Sequence, residues 1–165
     1  MSYFLFGTFN EIFDQDMQEK VKKYGESEQL YIWFNEEITF YEEINRMLLE
    51  QGAKGNTIFA ITSVNQRYNS DDVLFPFDKY SNEILFADKS RKFYKKCCQE
   101  NLEILFTFFK KLKELSQTIQ MKIFVVEGYD DMFFSKSCTL DEMKKDLLYQ
   151  IEEKASINSY IYTLM

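Results

Sequence analysis

The chain has 165 residues, of which 45% are hydrophobic and 18% aromatic, a composition that excludes a disordered polypeptide. That length lets one domain bury well over half of its unfolded surface, and a single proline with five glycines leaves no linker to divide it, so one domain over 1–165 is expected. The net charge of −7 is uneven: residues 1–88 hold 7 Lys/Arg against 16 Asp/Glu, net −9, and residues 89–165 hold 13 against 11, net +2. An acidic half of this kind disfavours general nucleic-acid or anionic-membrane binding and favours a basic protein partner, although the same charge also serves solubility.

Tyr3–Phe9 reads as a short strand closed by Gly7–Asn10. Met17, Val21 and Tyr24, at spacings of four and three, mark a short amphipathic helix, and Gly25 suits its left-handed C-terminal position. Leu30–Phe34 then has strand composition. Yet Leu30, Phe34, Ile38, Tyr41, Ile44 and Leu48 keep helical spacing with no breaker among them, and Ser27 suits a cap. One helix over about 27–51, ended by Gly52, is expected, with strand-then-helix as the alternative. Asn56–Val64 is a strand. Asn65–Asn82 is a long connection carrying Pro76, and its apolar Val73–Phe77 is expected to pack back as a lid or an edge.

From about Leu85 a long helix begins. Its first part, Lys89–Lys96, carries five positive charges interleaved with Phe93 and Tyr94. That pattern occurs in nucleic-acid grooves, but a solvated face whose two aromatics turn inward is the preferred reading. Cys98, Leu102, Leu105, Phe109 and Leu112 follow at spacings of four, three, four and three, with Ile104, Phe106 and Phe108 flanking them, as in a helix buried on more than one side. Met121–Glu127 is a β-branched, nearly continuous apolar strand, and Gly128–Asp131 a turn. Thr139 and Glu142 form a capping box ahead of a helix whose stripe is Met143, Leu147 and Ile151. Ser156–Leu164 closes the chain as a strand with Ile157, Ser159, Ile161 and Thr163 on one face and Asn158, Tyr160, Tyr162 and Leu164 on the other. These elements imply an α/β or α+β domain: a four- to five-stranded mixed sheet, partly parallel, packed by about four helices.

No segment reaches the ~18 uninterrupted apolar residues of a membrane span. Met1–Gly7 lacks the basic stretch of a signal peptide, so a cytoplasmic protein is expected. Cys97, Cys98 and Cys138 lack framework spacing, and neighbours on a helix project about 100° apart, so buried or half-buried reduced thiols are expected.

There is no histidine, which removes His-assisted nucleophiles, His-ligated zinc and the usual neutral-pH base. The glycines at 7, 25, 52, 55 and 128 fit neither dinucleotide nor P-loop spacing. Carboxylates remain. Glu127, Asp130 and Asp131 would suit Mg²⁺ or a glycosidase pair in a carboxylate- or metal-dependent enzyme or regulator, an alternative reading that stands beside an unspecified interaction domain, but acidic turn residues are ordinary. Glu36, Glu37, Glu42 and Glu43 occupy helix faces that are otherwise solvated, and together with Tyr129, Asp130 and Asp131 they are the candidate contacts for a basic partner. No cofactor or metal is expected.

The segments Ile123–Phe133, Cys138–Leu148 and Ser156–Tyr162 resemble, in style, the small acidic immunity proteins of bacterial polymorphic-toxin and contact-dependent growth inhibition systems. The resemblance carries no diagnostic motif and transfers no functional residue. It implies a cytoplasmic inhibitor that binds one toxin domain, often a basic nuclease, and blocks its active site or substrate groove.

Overall fold

Six strands form one sheet in the computed structural model, which describes residues 3–11, 14–34, 42–54, 57–63, 71–74, 88–115, 120–128, 132–151 and 158–165. They are β1 (Tyr3–Phe9), β2 (Leu30–Phe34), β3 (Phe59–Ser63), β4 (Met121–Glu127), β5 (Phe134–Cys138) and β6 (Tyr160–Leu164), in the order β2-β3-β1-β4-β6-β5. The helices are α1 (Gln15–Ser27), α2 (Glu42–Glu50), the single turn α3 (Asp71–Leu74), α4 (Asp88–Glu114) and α5 (Leu140–Tyr149). The architecture is α+β.

β1 and β4 pair antiparallel over seven residues, from Tyr3↔Glu127 to Phe9↔Met121, and form the middle of the sheet. Both are buried almost end to end, because helices or loops cover each face. Close approach at this centre requires Gly7: a Cβ there would lie 2.3 Å from Cζ of the fully buried Phe59. Next to it a buried threonine pair ties the chain ahead of β3 to β1. Thr57 Oγ1 lies 2.6 Å from Thr8 Oγ1, 3.0 Å from the Phe9 carbonyl and 2.8 Å from that of Lys54.

Strand alternation sorts the core into two layers. Leu5, Phe9, Ile32, Phe34, Phe59, Ile61, Ile123, Val125 and Tyr162 face α1, α3, α4 and α5. Phe6, Ala60, Phe124, Val126 and Ile161 face the other way and pack with Ile44 and Leu48 of α2. The predicted stripe of α4 lies in the first layer, with Cys98, Leu102, Leu105, Phe109 and Leu112 all buried, and Phe106 and Phe108 with them. Ile104 departs from the expectation. It is 41% exposed.

Several expectations require correction. Residues 30–34 are a strand rather than the start of a helix over 27–51. Once paired with β3, from Leu30↔Ser63 to Phe34↔Phe59, their alternation buries Leu30, Ile32 and Phe34 in the first layer. That burial outweighs the helical spacing they share with residues further on. Gly25 is not a left-handed cap: α1 runs through it, and its missing side chain admits Ile32, whose Cγ1 would be 2.5 Å from a Cβ there. Gln29 takes the positive φ instead. Ser27 belongs to the last turn of α1, where its hydroxyl donates to the Tyr24 carbonyl.

β5 was not expected at all, so the sheet has one strand more than the four to five anticipated. The mixed character is present, but only β5 and β6 run parallel. β4 and β6 are antiparallel, and β3 neighbours β1 and β2 rather than β4. The helical crossover that makes a parallel pair is therefore α5, from β5 to β6.

Other expectations hold. Gly52 follows α2 with φ of 92°. The capping box is complete: Thr139 Oγ1 accepts from the Glu142 N–H, and Glu142 Oε2 accepts from that of Thr139. Met143, Leu147 and Ile151 are buried. Val73 and Leu74 do pack back, as the turn α3 against β3 and α4. The rest of 75–87 and the side chains of Phe93 and Tyr94 lie outside the described residues.

Candidate functional site

Residues 1–88, the stretch of sequence with net charge −9, supply β2, β3 and β1, and residues 89–165, with net +2, supply β4, β6 and β5. The strands β1, β2 and β3 themselves carry no charged side chain. β2 is an edge strand. Its alternation sends Leu30, Ile32 and Phe34 into the first layer and Tyr31 and Trp33 to the opposite face.

Tyr31 is 45% exposed there. Trp33 is half-buried against the α2 layer, its Nε1–H donating to Thr62 Oγ1 at 2.9 Å, with its ring centroid 5.9 Å from that of Tyr31. The bond fixes the indole, so this aromatic pair is ordered before any partner arrives.

α2 lies on the same face of the sheet. Its amphipathic pattern buries Ile44 and Leu48 and leaves Glu42, Glu43, Arg46, Leu49 and Glu50 exposed. Glu42 and Glu43 occupy the first turn, where the helix dipole favours negative charge whether or not a partner binds. Of the residues predicted to contact a partner, Glu42 and Glu43 are thus placed, exposed and on this surface. Glu36, Glu37, Tyr129, Asp130 and Asp131 lie outside the described residues. A helical reading of 27–51 distributes Tyr31 and Trp33 around a helix and gives no sign that a strand aligns them on one sheet face.

For the enzymatic alternative, Glu127 alone among Glu127, Asp130 and Asp131 is described. It is half-buried at the end of β4, opposite Tyr3, and its backbone N–H donates to Ser159 Oγ at 2.9 Å. Among the described residues no group of three His, Cys, Asp or Glu side chains is disposed to hold a metal ion.

A cleft of about 630 Å³ lies between α4 and α5, lined by Lys96, Glu100 and Glu103 on one side and Asp141, Lys144 and Lys145 on the other. Lys144 donates to Glu103 across it, and this ammonium holds the exposed Glu103 carboxyl below the usual carboxylate range. Lys96 and Glu100 approach to 4.0 Å. Lys96 and Lys144 thus each have a carboxylate partner, and the three lysines of the cleft are matched in number by Glu100, Glu103 and Asp141, a charge-balanced seam rather than the basic track that a nucleic-acid backbone needs.

Beneath α5 a polar cluster locks the helix to β6. The hydroxyl of buried Tyr162 donates to Asp146 Oδ2 at 2.6 Å and accepts from Gln150 Nε2 at 3.2 Å, while Gln150 also reaches Asp146. Burial first, then the Asp146 carboxylate, pushes the Tyr162 phenol far above its ordinary range, so it stays a neutral donor. Cys98 and Cys138 are buried and Cys97 half-buried, with no disulfide among them, and burial raises the Cys138 thiol above its ordinary value.

Among the described residues no helix is long and apolar enough to cross a membrane. Comparison with protein-family models, with curated proteins and with solved structures finds no match to this chain.

Proposed function

We propose that this chain is a non-catalytic cytoplasmic binding protein of the immunity type, which neutralises a basic toxin domain by direct contact with the face that β2 and α2 share. The observation that supports this reading most is the surface formed by β2 and α2. It presents the Tyr31–Trp33 ring pair on the same face of the sheet as α2, whose first turn exposes Glu42 and Glu43, and both elements come from residues 1–88, the stretch of sequence with net charge −9. Carboxylates around the rim raise the association rate for a cationic partner, and fixed aromatics supply the energy that retains it. Reduced, mostly buried thiols accord with a reducing compartment. No cofactor enters the reading.

The test is co-expression with the basic C-terminal domain of a large secreted protein encoded next to this chain, followed by co-purification and binding kinetics. Reversing both charges, Glu42→Lys with Glu43→Lys, should slow association and flatten its salt dependence. Tyr31→Ala should act on dissociation instead, at a cost of about 2 kcal/mol. Unchanged kinetics for the charge-reversed protein at low and moderate salt would sink the assignment. An enzyme working through Glu127 would instead lose turnover on Glu127→Gln while its partner binding persisted.

A further inference from the structure

The opposite edge of the sheet has different chemistry. β5 pairs with β6 on one side only, and Phe134, Ser135, Lys136 and Ser137 are all exposed. The ladder on its inner side is set by two bonds: the Phe134 N–H donates to the Ser159 carbonyl at 2.9 Å, and the Met165 N–H to the Cys138 carbonyl at 3.0 Å. With the register Phe134↔Tyr160 to Cys138↔Leu164, residues 134, 136 and 138 direct their backbone groups at β6. The N–H and C=O of Ser135 and Ser137 therefore point away from the sheet, without a strand to receive them among the described residues. Apolar surface accompanies this open edge: Met132 is 74% and Phe134 56% exposed, and the Phe134 ring lies 5.4 Å from that of Tyr160.

We infer that β5 is a homodimerisation edge, on which a second copy of this chain adds its own β5 antiparallel about a twofold axis at Ser135. Two features of the strand favour a second copy over a foreign strand. The first is self-complementarity. With the axis at Ser135, each Lys136 stands beside the other copy's Phe134, an ammonium next to an aromatic ring, and Ser137 meets Phe133 at both ends. Moving the axis to Lys136 would oppose two ammonium groups, so the lysine that usually guards an edge strand here selects the register.

The second feature is charge. Lys136 is the one charged side chain of β5 and β6 carries none, so with the axis at Ser135 the two edges meet with no like charges opposed. β2 is the opposite edge strand of the sheet, and the substitutions at β5 alter no residue of β2 or α2, so this inference stands or falls independently of the proposed function.

Sedimentation velocity on the full chain from ~1 to ~100 µM should show a reversible monomer–dimer equilibrium. Ser135→Pro removes an outward N–H without touching the β6 ladder, and should raise the dimer dissociation constant by more than about tenfold with an unchanged circular dichroism spectrum. Should that variant fail to fold, cross-linking carries the test. In a Cys97→Ser background, oxidised Ser135→Cys should form a covalent dimer and Ser137→Cys should not. Positions facing each other across the axis lie about 5.5 Å apart, whereas the two copies of residue 137 lie about 13 Å apart. A wild-type chain that stays monomeric at the top of the range overturns the inference, even if it then binds an extended peptide at this edge. Equal cross-linking at 135 and 137 overturns it as well.

Discussion

Tyr162→Phe probes the lock between α5 and β6. The substitution keeps the ring, which stacks on Tyr160 at 5.3 Å and 13°, and removes only the hydroxyl. Two hydrogen bonds go with it, the 2.6 Å donation to Asp146 and the 3.2 Å acceptance from Gln150, leaving Asp146 with the weaker contact from Gln150 alone. A hydrogen bond to a charged group contributes about 1.5–3 kcal/mol net, so a loss of about 2 kcal/mol at pH 7 is expected. In a domain of this length that lowers Tm by roughly 4–8 °C.

The pH dependence supplies an independent check. The folded-state phenol is held neutral far above its unfolded value, so its stabilisation is complete below a pH of about 10. Above that, the unfolded chain ionises Tyr162 and the folded one does not. Stability should then fall with rising pH, this residue contributing about 1.4 kcal/mol per pH unit. Urea denaturation of wild type and variant at pH 7 and near pH 11 measures both effects. The variant should be the less stable at pH 7, and the gap should narrow near pH 11. A loss below about 0.5 kcal/mol at pH 7, or a gap independent of pH, would refute the reasoning.

Leu105→Ala and Phe109→Ala each empty a fully buried site on the α4 stripe and should each cost about 3–5 kcal/mol in chemical denaturation; a loss under ~1 kcal/mol would mean the helix faces otherwise. Gly7→Ala should cost about 1–3 kcal/mol, because the Phe59 ring is held by Phe9, Phe34 and Phe108, and Phe59→Leu should recover part of that loss when combined with it. A thiol reagent should modify Cys97 in the native protein, reaching Cys98 and Cys138 only after denaturation. Reductant should leave Tm unchanged, and a disulfide in fresh protein would contradict this.

The elements legible in the sequence are those whose signal is complete within a few turns. The α4 stripe, the apolar run of β4 and the Thr139–Glu142 capping box each declare themselves through spacing that one helix or strand satisfies alone. The absence of histidine and the acidity of residues 1–88 were equally plain, and with them the class of chemistry to expect.

Tertiary structure decided the rest, because it supplies partners from distant sequence. Leu30–Phe34 fits a helix or a strand until β3 offers a ladder. Gly25 is explained only by Ile32 pressing against it. β5, with Ser, Lys and Ser exposed on both faces, has no apolar period to read and is a strand only because β6 runs beside it. Pairing with β3 in turn aligns Tyr31 with Trp33 on the face that α2 shares. Charge and composition are properties of the chain. Which charges stand beside which rings is set by pairing across the sheet, and that pairing is non-local.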